Sequence, residues 1–285
     1  RGSIRAAGER LHVAPSAINK HILQLEQTLG EPLFERLPRG LRLTPAGEIM
    51  VAHIRRTLRE YSQVEADIRD IRALESGEVI IATMNGLAGG IVPRAAASFC
   101  ARHPRVSISI RVMFTRDIQQ AVLDGEADLG LAFNLPGMAQ LDMLWRMDSP
   151  LGAVLSPEHP LAAMDSVPLA RCADYPLIFA DKAMLIHGLV AQGFAQAGIE
   201  AAPAFLSNSI EAMKCLAGSG EGIGFLSRFD IAEEIRNGVL VWRPIRERVL
   251  GRNLLSLVQR EKRGGGLAAT VFAEEIIRAL NAVGD

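Results

Sequence analysis

The chain has no long apolar run: although 49% of its 285 residues are hydrophobic, no uninterrupted stretch approaches the ~18 apolar residues of a membrane-spanning helix. A membrane partner is therefore not expected. Cysteine is scarce. Cys100, Cys172 and Cys215 are odd in number and far apart, so neither a disulfide framework nor a zinc site is indicated. They suit buried free thiols in a reducing cytosol better than a redox pair, because no basic cluster flanks any of them in sequence. His12, His21, His53, His103, His159 and His187 show no paired ligand spacing. Also absent are a Gly-x-Ser-x-Gly elbow and a phosphate loop with its Lys, and Gly86-Leu87-Ala88-Gly89-Gly90 has the wrong spacing for a dinucleotide fingerprint. No cofactor, metal or catalytic residue is expected. Arg1 runs at once into an amphipathic helical pattern, so no signal peptide is expected and the location should be cytoplasmic; without an initiator Met, the sequence looks like part of a longer chain.

Net charge is nearly absent too, at -1, until it is divided along the chain. Residues 1–59 hold ten Lys/Arg against five Asp/Glu, leaving 21 against 27 for the rest. A basic head on an acidic body is the asymmetry of a DNA-binding module attached to a domain that does not touch phosphates.

Within the head, Ser3 is placed to cap a short helix carrying Ala6, Ala7 and Leu11 and ending near His12. A second helix starts at Ala14 with Pro15 in its first turn. Its stripe of Ile18, Ile22, Leu25 and Leu29 should face a core, and Gly30 stops it. At about 100° per residue, the opposite face carries Ser16, Asn19, Lys20, Leu23 and Gln27. Two short helices around a tight turn match a helix-turn-helix, although a polar face alone equally suits an ordinary solvated helix. Residues 32–43 then form two short stretches around Pro38-Arg39-Gly40, a hairpin wing that sets Arg36, Arg39 and Arg42 toward phosphates or a minor groove.

Thr44 caps and Pro45 opens a helix free of Gly and Pro from Glu48 to Ser76, with Gly77 as its stop. Ile54, Leu58, Tyr61, Val64, Ile68 and Ile71 form a narrow stripe on it, suited to a helix–helix seam or to packing on the chain's own second domain. Beyond it, strand-like and helical runs alternate: 79–84, 88–102, 106–112, 117–123 and 128–132, then 177–180, 188–196, around 205, 210–216, 223–226, 230–235, 239–242 and 254–258, with a last helix over 267–280. That order implies α/β architecture with open sheets in two lobes.

The run from Ser3 to Val13, Ala17-Ile18-Asn19-Lys20-His21-Ile22, Leu33-Phe34-Glu35-Arg36 and Leu43-Thr44-Pro45-Ala46-Gly47 resembles the head of LysR-type transcription regulators. Ile91-Val92-Pro93, His103-Pro104, Gly125-Glu126-Ala127-Asp128-Leu129-Gly130, Glu158-His159-Pro160-Leu161-Ala162 and Gly222-Ile223-Gly224 are similar to that family's effector domain. The resemblance implies a multidomain chain: an α winged helix-turn-helix head (1–47) with a long linker and dimerisation helix (48–77), then an α/β two-lobed effector-binding domain (78–285) like the periplasmic solute-binding proteins. Its first lobe would hold about 78–151 and 247–285, and its second about 152–246. The family's first helix precedes Arg1. Carried over by position, Pro15, Ser16, Asn19 and Lys20 would contact the groove and Arg39 the wing's DNA, although the family usually has Gln-Pro at Pro15-Ser16 and Ser-Arg at Asn19-Lys20, so base preference does not transfer. The implied partners are double-stranded promoter DNA, a second copy in a homodimer or tetramer, and a small-molecule effector, with RNA polymerase left open.

Ligands in such sheets bind beyond the carboxyl ends of strands, where helix N-termini present free N–H groups. Thr83, Asn85 and Gly86 after the first strand, Thr115 capping the helix after the second, and Asn208 with Ser209 at a helix in the other lobe are candidates to hold a carboxylate, or are plain caps. Phe133 and Phe179 add apolar wall or core. The expected effector is an organic acid; the alternative is a solute-binding protein or an enzyme on the same two-lobed fold.

Overall fold

Gly8 can be only glycine, because the turn after its helix folds back on it: a Cβ there would lie 2.7 Å from the Val13 carbonyl oxygen. The computed structural model that shows this describes residues 4–37, 40–70, 77–137, 140–246, 250, 252–261 and 266–284. By contacts the chain separates into Arg1–Ser62 and Gln63–Asp285.

In the first unit, α1 (Ile4–Leu11) and α2 (Pro15–Leu29) are joined through His12, which takes the left-handed conformation. Gly30, at φ 74°, ends α2 and donates its N–H to the Glu26 carbonyl at 2.9 Å. The Glu26 carboxylate accepts the N–H groups of Leu33 (2.8 Å) and Phe34 (3.1 Å), fixing where the wing begins. The wing pairs β1 (Phe34–Leu37) with β2 (Gly40–Leu43), antiparallel, Phe34 opposite Leu43. Thr44 then starts α3 (Pro45–Asp70): its hydroxyl donates to the Pro32 carbonyl at 2.6 Å and accepts from the Gly47 N–H at 3.0 Å.

The apolar stripe of α2 departs from expectation. Ile18 and Ile22 are half-buried, but Leu25 and Leu29 are exposed. Ile18, Ile22, Phe34, Leu41, Leu43 and Val51 line an open apolar groove of about 800 Å³. Gly77, expected as the stop of the long helix, opens a strand and pairs with Val106, while residues 71–76, where that helix would end, lie outside the described residues.

In the second unit, β3 (Gly77–Thr83) leads through α4 (Asn85–Ala88) and α5 (Ile91–Arg102) to β4 (Val106–Val112), and α6 (Thr115–Leu123) to β5 (Leu129–Phe133). Two strands follow that the sequence did not announce, β6 (Leu141–Asp148) and β7 (Leu151–Leu155). Then come α7 (Leu169–Cys172), β8 (Leu177–Ala180), α8 (Leu185–Gln196), β9 (Pro203–Ser207), α9 (Ile210–Gly218), β10 (Ile223–Ser227), α10 (Ala232–Arg236), β11 (Val241–Pro244), β12 (Leu254–Arg260) and α11 (Gly266–Gly284). One five-stranded sheet runs β4-β3-β5-β12-β6 and another β11-β7-β10-β8-β9. The βαβ strands β3, β4 and β5 are parallel, whereas β12 returns antiparallel to β5 and β6.

The motif around Gly125 is structural. Gly125 turns at φ 69°, the Asp128 carboxylate accepts the Ile80 N–H at 2.7 Å, and Gly130 leaves room for Val122 and Ile118 of α6. Each sheet has its own core, around Phe99 and Phe272 in the first and around Phe179, Phe194 and Phe225 in the second. The three cysteines are free, but only Cys172 is buried, so the expectation of three buried thiols is corrected.

The chain passes between the sheets twice, after β6 and before β12, and the crossings are tied together. The Ser149 N–H donates to the Asn253 carbonyl at 2.7 Å, the Asn253 side-chain amide donates to the Ser149 carbonyl at 2.9 Å, and the Ser149 hydroxyl donates to that of Ser227 at 2.9 Å.

Thr44→Val keeps the shape of the cap and removes two hydrogen bonds. It should lower the stability of the first unit by about 1–2 kcal/mol. Urea unfolding followed by circular dichroism measures this, and an unchanged midpoint would show the cap to be dispensable.

Candidate effector cleft and DNA-binding face

On α2, Pro15, Ser16 and Lys20 are exposed and Asn19 is half-buried on the same face. In the wing, Arg42 is held by Glu35 through Nε at 3.0 Å and Nη2 at 2.6 Å, which spends much of its charge within the hairpin. The Arg36 side chain and the whole of Arg39 lie outside the described residues. On α3, Ile54, Leu58 and Tyr61 share one face, and Leu58 and Tyr61 are 62% and 63% exposed. The side chains of Val64 and Ile68, and all of Ile71, lie outside the described residues.

Between the two sheets of the second unit lies a cleft of about 560 Å³. The first sheet brings to it the ends of β3 and β4 and the start of α6, and the second brings the starts of α8 and α9. Of the residues singled out from sequence, Asn85, Gly86, Thr115, Phe133 and Asn208 come together on its walls. Asn85 and Asn208 are exposed and face the cleft from opposite lobes.

The other three do not line it. Thr83 is fully buried and its hydroxyl donates at 3.0 Å to the carbonyl of Leu131, its register partner on the neighbouring strand β5. Phe179 belongs to the second core, its ring edge-on to Phe225 at 6.0 Å between centroids. Ser209 is a plain cap, its hydroxyl accepting the Ala212 N–H at 3.3 Å. Thr115 is corrected differently: Phe114 holds the cap position, and the Thr115 hydroxyl reaches the Phe133 carbonyl at 3.5 Å and the Met84 sulfur at 3.6 Å, both long contacts.

Sequence reasoning missed most of the apolar wall and, although Arg116 is the basic residue of those loops, gave its charge no necessary part in binding. Val112, Phe114 and Leu185 line the cleft while remaining largely exposed, Phe114 at 71%. Arg116 stands beside them, exposed, with no hydrogen-bond or ion-pair partner among the described residues. The signal available for Phe114 and Arg116 was position, since they flank Thr115; Val112 and Leu185 adjoin none of the capping candidates.

Asp230 closes the floor. Burial pushes its carboxyl up from 3.8 to about 7, outweighing the Ser227 N–H at 3.1 Å and the charge of Lys214, which favour ionisation; Glu211 and Glu234 add to the rise. Lys214 is itself buried. Burial pulls its ammonium down, but hydrogen bonds and charge from Glu211 and Glu234 outweigh this and hold it above its ordinary value. Among the described residues no cluster of His, Cys, Asp or Glu could hold a metal, and no helix is long and apolar enough to cross a membrane.

Comparison with known proteins agrees with this geometry. Residues 1–48 match the bacterial regulatory helix-turn-helix family of LysR type, and residues 72–281 match the LysR substrate-binding domain. A probable RuBisCO transcriptional regulator of Emiliania huxleyi is 27% identical over 285 residues, spanning 98% of this chain and 90% of that one. A full-length OxyR variant from Pseudomonas aeruginosa superposes with a TM-score of 0.71 at 21% identity, covering 96% of this chain and 89% of its own. The regulatory domain of Synechocystis PCC6803 CcmR, solved in complex with 2-PG, superposes with a TM-score of 0.57 at 21% identity over 71% of this chain and 97% of its own. With one family segment on the helix-turn-helix and wing and the other on the two sheets and their cleft, the chain belongs to the LysR family of DNA-binding transcription regulators.

Proposed function

We propose that this regulator is controlled by a small, partly apolar organic acid held in the cleft between its two sheets, and that it acts on promoter DNA in the cytoplasm as a homodimer or tetramer. The observation that carries this reading is the cleft's composition. Arg116, which has no partner among the described residues, and two exposed amides, Asn85 and Asn208, stand among the exposed apolar side chains Val112, Phe114 and Leu185. A carboxylate satisfies the guanidinium and amides, while an apolar body covers side chains that water otherwise meets. The 2-PG complex of the similar CcmR domain supports a small ligand in this fold. Binding that favours one arrangement of the lobes over another changes the regulator's activity by the difference in affinity between the two arrangements.

The test is a thermal-shift screen of small carboxylates, with 2-PG among them, followed by calorimetry on the strongest. Arg116→Ala should then weaken binding on the order of tenfold or more, the loss of one charge-assisted bond. Thr115→Val should cost less, because its hydroxyl bonds are long. Equal affinity in wild type and Arg116→Ala, or a ligand seated elsewhere, would overturn the assignment.

The head's contribution is assigned to Pro15, Ser16, Asn19 and Lys20 on α2, with Arg36 and Arg39 on the wing. Asn19→Ala should relax sequence preference, since a bidentate base contact discriminates by about 1–3 kcal/mol, and Lys20→Ala should lower affinity uniformly across sequences. Gel-shift titrations against operator and unrelated DNA separate the two effects; if neither variant changes binding, α2 is not the reading helix.

Self-association is assigned to the stripe that includes Ile54, Leu58 and Tyr61, continued in sequence by Val64, Ile68 and Ile71. Leu58→Asp would bury an unpaired charge at such a seam, at a cost of several kcal/mol. Sedimentation should show the wild type associated at micromolar concentration and the variant dissociated, and a monomeric wild type would exclude the seam.

A further inference from the structure

The two lobes are joined by more than their crossings. The turn after β10 carries Phe229 into the first lobe's core, where its ring meets Trp145 edge-on at 6.2 Å between centroids. The next residue, Asp230, presses on Gly86: a Cβ there would lie 2.1 Å from Asp230 Oδ1. The same fit recurs along the segment. A Cβ on Gly89 would lie 2.5 Å from Glu211 Oε1, and one on Gly90 3.1 Å from Glu233 Cγ. None of the three glycines has a positive φ, so the constraint is one of space, and it is firm at Gly86, where the neighbour is the wholly buried Asp230, and softer at Gly89, where the end of the half-exposed Glu211 side chain can give way. Three acidic side chains of the second lobe therefore lie against three glycines of the first, and Asp230 fits most closely. Arg94 of α5 secures Glu233 at 3.1 Å, and Arg236 pairs with the same carboxylate.

We propose that this seating is a proton-controlled fastening: with Asp230 protonated the second lobe stays docked on residues 86–90, and ionisation of Asp230 releases it and loosens the cleft. The charges around Asp230 set the sense of the control. From α9 it faces Lys214 and Glu211 and from α10 Glu234, with Glu233 neutralised by Arg94 and Arg236; Arg116 and Asp117 of α6 line the same cleft. Burial outweighs the charge of Lys214, so the docked carboxyl titrates at about 7 while a released, hydrated one returns toward 3.8. The docked form thus binds the proton more tightly. Docking is strongest below the ordinary carboxyl value, weakens by up to about tenfold per pH unit as pH rises, and levels off above about 7.

Hydrogen–deuterium exchange on the full chain, without ligand and corrected for intrinsic rates, tests this independently of the effector assignment. Protection of the amides of residues 86–94 should fall about tenfold or more between pH 5 and pH 7 and then level off. Asp230→Asn should abolish that pH response. Gly86→Ala, whose methyl group occupies the notch of the Asp230 carboxylate, should be poorly protected already at pH 5. A wild type with no pH response, an Asp230→Asn variant with an unchanged one, or a Gly86→Ala variant as protected as wild type at pH 5 would each overturn the proposal.

Discussion

Two strands that cross side by side from one sheet to another must satisfy their backbone groups away from water, and in this chain they do so chiefly through each other. Ser149 and Asn253 exchange hydrogen bonds at the crossings, the Asn134 side-chain amide donates to the Asn253 side-chain oxygen at 2.9 Å, and the Leu254 N–H donates to Asn134 Oδ1 at 2.9 Å. Leaving one such buried group unmet costs about 1–3 kcal/mol, so the members hold one another in place. The cleft walls inherit their relative position from this cluster. Asn134 and Asn253 line the cleft, but their polar groups are already engaged with each other and with the crossing backbone.

How much of this was legible from sequence follows from the range over which each feature is determined. The strands Val106–Val112 and Leu177–Ala180 occur at the bounds their patterns suggest, since β-branched and apolar residues there are bracketed by turn residues. The strand Leu151–Leu155 is buried along its whole length and carries a glycine, so it shows no alternation. Leu141–Asp148 is half-buried at most positions, and its period is blurred as well. Between them these two strands decide where one lobe ends and the other begins, which periodicity alone left blank.

The cleft divides in the same way. Residues with capping chemistry at helix starts were found because their role is local, and Asn85, Gly86, Thr115 and Asn208 do meet in space. Asp230 was invisible, for its meaning depends on Gly86, which lies far away in sequence. Local chemistry also misleads: Ser209 has the right atoms and spends them on the Ala212 N–H.

The strand order carries a further consequence for how the chain is made. The second sheet is built from β7 through β11, one continuous stretch, whereas the first needs β12 in its middle and the packing of Ala269, Phe272, Ile276 and Leu280 from α11. A chain emerging from the ribosome thus holds everything the second lobe's sheet requires before the first lobe can close. Until β12 is synthesised, β5 and β6 lack the strand that lies between them, and until α11 follows, the core that holds Leu131, Phe133 and Trp145 lacks the side chains of that helix. The interval between these two completions is when nascent chains of this protein are most exposed to misassociation.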